Sequence, residues 1–320
     1  MARSRRMLAV GMTLLLVLAV GLTGCGATHN ETPAAGQTDA NEGKTRVVKG
    51  EFGDVTIPVK PKKVAGIYVE DYLQALGVTP VVQWYHPNWG KQDYLGLNVP
   101  TFDTTGSIEA LVAAGPDLII VDGGVDAAKY ELYSKVAPTY RLPEAVLQSP
   151  PEIVKKIADV LGIPEKAESV LAEYNRKMAD AKAKLDKAVG EQTVAVVRIN
   201  VGDKSLALFG INNRYTGNIY SELGLAPHRF VKEMKEFQAV LSEEKLPELD
   251  ADHLIVFPSN GSWTSEENKE AVKLLDSPLW KSIPAVKNGH VYKAERTHWQ
   301  SGAVMANKAK TDDILKWLVK

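Results

Sequence analysis

Midway along the chain, from Pro164 to about Ala188, one helical pattern runs without a break and divides everything else into two halves. Its apolar residues Ala167, Val170, Leu171, Tyr174, Met178, Ala181 and Leu185 recur at the i, i+3, i+4, i+7 spacing of a single buried face. Roughly 24 residues at 1.5 Å rise make a rod about 36 Å long, enough to cross a domain. A shorter helix precedes it: Ser149 is placed as N-cap, Pro150-Pro151-Glu152 opens it and Gly162 ends it. The central position assigns the long helix as a strut between two lobes. An ordinary long surface helix would carry the same stripe.

On either side, short β-rich runs alternate with amphipathic stretches. Val64–Tyr68, Val81–Tyr85, Leu118–Asp122, Val194–Ile199, Leu254–Phe257 and His290–Lys293 are the expected strands. Their near-continuous apolar character fits parallel strands covered on both faces, and the alternation predicts an α/β fold. A chain of 320 residues exceeds the roughly 250–300 at which single cores stop growing. A weak internal repeat points the same way. Ser107-x-Glu109-x-Leu111 returns as Ser242-x-Glu244-x-Leu246, and Asp117 and Asp252 follow at the same spacing, each leading into a strand. Upstream, Leu76-Gly77-x-x-Pro80 is echoed by Leu223-Gly224-x-x-Pro227. Open α/β sheets bind ligands beyond the carboxyl ends of their strands, so two facing lobes predict a shared cleft.

The chain begins with Arg3, Arg5 and Arg6, then the apolar run Met7–Leu22, then Thr23-Gly24-Cys25. The run is shorter than the ~20 residues that span a bilayer, and the order of charge, apolar run and small residues is that of a secretory signal over 1–24. Leu22-Thr23-Gly24-Cys25 resembles the lipobox of bacterial lipoproteins, which implies a lipidated Cys25 anchored in the bilayer on the outer face of the cell membrane. Two or more acyl chains, at about 0.8 kcal/mol per buried CH₂, hold a folded domain there. Ser4-Arg5-Arg6 faintly resembles a twin-arginine signal as well, so the export route stays open. Residues 25–44 have no apolar periodicity and read as a tether. With one Cys in the chain, an intramolecular disulfide, a Cys-rich zinc site and an iron–sulfur cluster are all excluded. A formal net charge of −1 gives no basic excess for nucleic acid.

Several segments resemble one family. Gly53–Pro58 through Pro61-Lys-Lys-Val64 is similar to its opening hairpin and first strand. Ser107-Ile-Glu-Ala-Leu111 with Gly115–Ile120 is similar to its N-lobe helix–strand unit. Leu241–Asp252, Ser277-Pro-Leu-Trp280 and Ala285-Val-Lys-Asn-Gly289 are similar to its C-lobe. The chain from about residue 45 to 319 thus resembles the iron(III)-siderophore/cobalamin type of ABC-transporter substrate-binding protein. The resemblance implies two Rossmann-like lobes joined by one long helix with a ligand cleft between them: an N-lobe over 45–160, the connecting helix over 161–189 and a C-lobe over 190–320. It implies a binding protein, monomeric when free, that delivers its cargo to the transmembrane permease subunits of an ABC importer and is no enzyme. No Walker A loop is present. The family docks one Glu of each lobe onto permease arginines, and motif position assigns Glu109 and Glu244. Each also lies where a carboxylate suits the start of a helix.

Cleft residues are expected at strand ends and in the loops after them: Trp84, Tyr85 and Trp89; Arg198 and Asn200; Arg214 and Tyr215; Trp263; Arg296, His298 and Trp299. Iron in a ferric siderophore already has six oxygen ligands, so the protein contacts the outside of the complex. Aromatic faces suit the organic shell and arginines suit its oxygens. This mixture favours a hydroxamate or mixed hydroxamate–carboxylate ligand over a catecholate, with haem and cobalamin left as alternatives. The six His show no i, i+4 pair, so no direct metal site and no cofactor are expected. Two other function classes remain. A secreted hydrolase needs an activated nucleophile, yet Gly-x-Ser-x-Gly is absent and the lone Cys is assigned to lipidation. A sensory ligand-binding module would share every feature above.

Overall fold

In the computed structural model the described residues are 43–202 and 205–319. The expected signal peptide, Cys25 and nearly all of the expected tether lie outside them. The folded chain opens with an antiparallel hairpin, β1 (Thr45–Gly50) and β2 (Gly53–Pro58). The first lobe is then built on a parallel sheet of β3 (Val64–Ile67), β6 (Leu118–Val121) and β7 (Thr139–Arg141), in the order β3-β6-β7. A parallel pair, β4 (Gln83–Tyr85) and β5 (Thr101–Asp103), stands beside it. Helices α1 (Glu70–Ala75), α2 (Glu109–Ala114) and α3 (Ala127–Ser134) fill the crossovers. Each residue of β3 and β6 is buried, as covered parallel strands require.

Two helices carry the chain across. α4 (Pro150–Leu161) is capped by Ser149, whose side chain accepts from the Glu152 N–H, and it ends on Gly162 at φ 72°. The left-handed conformation there is open to glycine at little cost. α5 (Pro164–Ala188) is the expected strut. Of its seven stripe residues all but Val170 are buried.

The second lobe is a mixed six-stranded sheet. β8 (Thr193–Ile199), β12 (His253–Pro258) and β13 (Val291–Lys293) run parallel, with the short β10 (Ala226–Pro227) alongside β8. β9 (Ser205–Phe209) and β11 (Gln238–Ser242) are antiparallel additions at the other edge. The runs expected as strands all pair in parallel with one another or with a neighbour, and the antiparallel edge comes from β9 and β11, which were not among them. Two-sided burial makes β9 as continuously apolar as its parallel neighbours, so composition does not report strand direction.

The repeat has a structural meaning. Asp117 accepts from the backbone N–H groups of Lys62 and Lys63, at 2.7 and 3.0 Å, and ties the start of β6 to the start of β3. Asp252 accepts from the Thr193 N–H at 2.7 Å and its hydroxyl at 2.9 Å, and ties β12 to β8 in the same way. Gly77 and Gly224 both follow a helix with positive φ, 75° and 73°. The two lobes use one wiring.

One central apolar cluster runs from Val48 and Leu118 through α4 and α5 to Val194, Phe257 and Ile314. Two further clusters cover the far faces of the sheets, one per lobe. Because the central cluster is shared, the described residues hold together as one compact unit. The C-terminal helix, Val304–Leu318, packs on α5 and on α1 of the first lobe, although it lies in the segment read as the second.

Candidate ligand cleft

A cavity of about 790 Å³ opens between the lobes, within the range of small-molecule sites. Its wall is made where the parallel strands end: Tyr68 after β3, Trp84 on β4, Asp122 after β6, Arg198 at the end of β8, Ser259 after β12 and Arg296 after β13. The crevice at the carboxyl ends is therefore used by both lobes.

Three arginines stand in the wall, and their surroundings differ. Arg198 donates from Nη1 to Gln300 Oε1 at 3.2 Å and from Nη2 to Asn200 Oδ1 at 3.4 Å. Its buried Nε has no partner, and its guanidinium lies 5.6 Å from the centre of the Phe209 ring. Burial pulls its pKa down. Arg296 is 9% exposed. It donates to the carbonyl oxygens of Ser259 at 2.6 Å and of Trp89 at 3.3 Å, the second of these across the lobes. Burial, aided by the positive charge of Arg198, lowers its pKa to about 10. Among the described residues neither guanidinium reaches a carboxylate within ion-pair distance. Arg214 does: its Nη2 lies 3.7 Å from Asp122 Oδ2, so a second-lobe cation meets a first-lobe anion over the cavity. Burial raises the Asp122 carboxyl to about 6, against the pull of Arg214 and of the Gly124 N–H.

Behind the aromatic wall lies Glu70, fully buried. Its Oε1 accepts from the Trp84 N–H at 2.8 Å and its Oε2 has no partner. Burial pushes its pKa up to about 8, so it is mostly a neutral acid at pH 7. Tyr68 stacks edge-on against Trp84 at 5.3 Å and is, among the described residues, the one non-glycine residue with positive φ, 67°. Such backbone strain is held only where the surroundings over-determine it. Trp89 lies flat on His86, 3.8 Å between centres.

Of the eleven residues read as cleft-lining, six line it: Trp84, Trp89, Arg198, Arg214, Tyr215 and Arg296. The other five do not. Tyr85 follows Trp84 on a strand, where successive side chains point to opposite faces. Asn200 sits behind the wall, bracing Arg198 and donating to Ser205 Oγ at 2.9 Å. Trp263 donates to the Ala294 carbonyl at 2.9 Å and packs on the second-lobe core. His298 and Trp299 turn the other way from Arg296 on their short helix and meet Asp313 of the C-terminal helix, at 2.7 and 2.9 Å. Trp299 is wholly buried core. Tyr68, Tyr72, Asp122, Phe237 and Gln300 line the cavity and were not singled out. Tyr68 and Asp122 close two of the expected strands, so the strand-end rule pointed at them. Gln300 and Phe237 carry no such signal.

Glu109 is exposed at the first turn of α2, and Glu244 is exposed on the helical turn Glu243–Glu248. Among the described residues no cluster of His, Cys, Asp or Glu is placed to hold a metal ion, and no helix is long and apolar enough to cross a membrane.

A family model described as periplasmic binding protein matches residues 68–296. The chain is 33% identical over 294 residues to the iron(3+)-hydroxamate-binding protein FhuD of Bacillus subtilis, covering 88% of each chain. It is 28% identical to the Fe(3+)-citrate-binding protein YfmC of the same organism, covering 98% of this chain and 97% of that one. Among solved structures, a FhuD fold-family component of a ferrichrome ABC transporter from Bacillus subtilis superposes with a TM-score of 0.71 at 30% identity, over 85% of this chain and all of the other. Staphylococcus aureus SirA, solved with staphyloferrin B, has the same fold, with a TM-score of 0.69 at 24% identity, over 86% of this chain and 98% of that one.

Proposed function

We propose that this chain, which belongs to the periplasmic binding protein family, is the substrate-binding component of an ABC importer that captures a ferric hydroxamate complex. The observation that carries the reading is the pair of half-buried Arg198 and buried Arg296, standing in an aromatic-walled cleft without a carboxylate partner. A guanidinium drawn out of water without an anion carries a desolvation cost that neutral carbonyl contacts offset in part and an oxygen-rich, negatively polarised guest offsets further. The oxygen atoms of an iron chelate are such a guest, and Trp84, Trp89 and Tyr215 offer faces to its organic shell. The relative bearing an iron-hydroxamate name supports that class.

The same reading makes the protein a binder and no enzyme, with the iron complex as cargo rather than cofactor. It divides the chain into lobes over 45–160 and 190–320 about the helix of 161–189, the C-terminal helix serving both. It gives Glu109 and Glu244 the task of engaging permease arginines through bidentate carboxylate contacts, Cys25 the task of lipid anchoring on the outer face of the membrane, and the free protein a monomeric state. Relatives named as lipoproteins favour the anchor.

Native mass spectrometry against ferric trihydroxamates, ferric citrate, haem and cobalamin tests the cargo. A one-to-one complex with a trihydroxamate, and none with haem or cobalamin, is the expected result. Binding of haem or cobalamin alone would overturn it.

A further inference from the structure

The C-terminal helix has no cap of its own. Its N-cap position is Ala303, and the carboxylate of Asp71, on α1 of the first lobe, takes that place by accepting from the N–H groups of Met305 and Ala306, both at 2.9 Å. Two turns further on stands Lys310, wholly buried. Its Nζ donates to the carbonyl oxygens of Tyr215 and of Ser301, the latter at 2.7 Å. Both are cleft-lining residues, and they come from segments far apart in sequence. The segments also touch directly: a Cβ on Gly302 would overlap the Arg214 carbonyl oxygen. Asn307, one turn before Lys310, donates to the Gly302 carbonyl at 3.1 Å.

We infer that Lys310 is a positioning residue for the cargo cleft: its buried ammonium clamps Tyr215 and Ser301 so that the Arg214–Tyr215 loop and the Ser301–Ala303 segment form one wall. The clamp works from a helix that the first lobe itself holds through Asp71, so the wall is referenced to both lobes. A lysine in this place is costly, because desolvation disfavours its charge and lowers its pKa to about 7. Apolar packing alone would be served by Met or Leu, whereas two converging carbonyls call for a donor. The charged groups that face it are Glu222, after the short helix Asn218–Ser221 and bonded to Tyr174 of α5, and Asp71 on α1. Charged donors make the stronger hydrogen bonds, so the clamp is tightest below the lysine's pKa.

The functional consequence rests on the ferric-hydroxamate reading; the clamp itself does not. Amide hydrogen exchange on the unliganded protein, wild type against Lys310→Met, tests the clamp. Protection is expected to fall about tenfold at residues 214–216 and 301–305 and nowhere else, with a larger difference below about pH 7 than above it. Ferrichrome affinity, read by tryptophan fluorescence, should fall by a similar factor. Unchanged protection in those two segments, or an equal loss throughout the molecule, overturns the assignment. If Lys310→Met does not fold, Gly302→Ala forces the same junction apart with Lys310 in place. Normal protection and affinity in that variant would overturn it as well. If wild type ignores ferrichrome, the cargo reading fails while hydrogen exchange still decides the clamp.

Discussion

At the scale of single residues, the cleft is governed by charges that lack their usual partners. Arg198 and Arg296 are held by carbonyl and amide oxygens, which orient a guanidinium without neutralising it. Replacing either by Ala should weaken ferric hydroxamate binding by about ten- to a hundredfold, the worth of one or two charge-assisted hydrogen bonds. Fluorescence titration measures this, and equal affinity in both variants would refute their role. Glu70 makes a separate prediction about pH. Its folded pKa, raised to about 8, lies above that of an unfolded Glu near ~4.3, so the folded chain binds the extra proton. The stability this adds is complete below the unfolded pKa and is lost as pH rises through the folded one. Calorimetry from about pH 5 to about pH 9 should therefore show the wild-type melting temperature falling more steeply than that of Glu70→Gln. The strand-end arginines were legible because an Arg closing an apolar strand is poorly explained by packing. Trp299 and His298 were not, because one turn of helix separates the cleft from the core and a single sequence does not say which way that turn faces.

At the scale of elements, the duplicated wiring is the main result. Asp117 and Asp252 each stitch the start of one parallel strand to its neighbour. Cutting either stitch by Asp→Ala should cost about 1–3 kcal/mol and lower the melting temperature by several degrees in a chain of this size. Similar losses for the two variants are expected; a large loss for one and none for the other would show that the repeat is not mechanical. These elements were readable in advance, since caps, glycines and the 3.6-residue stripe act locally. α4, with Ser149 before it and Gly162 after it, is found where the local signals put it. β9 and β11 were not in the expected set, and their antiparallel pairing follows from long-range partners rather than from their own residues.

At the scale of the whole molecule, two lobes share one core, and contacts cross the cleft at its rim: Arg214 to Asp122, Arg296 to the Trp89 carbonyl, and the Gly261 N–H to the Asn88 carbonyl at 3.0 Å. With the lobes packed on common helices, wide opening would expose much of that core, so small rotations are favoured. If Glu109 and Glu244 face the permease, replacing both by Ala should abolish uptake of ferric hydroxamate by cells and leave the affinity of the purified protein unchanged. A fall in affinity would place the carboxylates in the fold or the cleft instead. Sequence alone determined the α/β alternation, the central strut, the two-fold repetition and the strand ends at which arginines gather, because periodicity, caps and spacing are properties of neighbouring residues. The tertiary structure alone decided that Asp122 answers Arg214, that Trp299 belongs to the core, and that the last helix of the chain is capped from the first lobe and grips the cleft wall through Lys310. Those outcomes depend on which surfaces meet in space, and pairs as far apart in sequence as Asp71 and Met305, or Tyr215 and Lys310, leave no periodic trace of meeting.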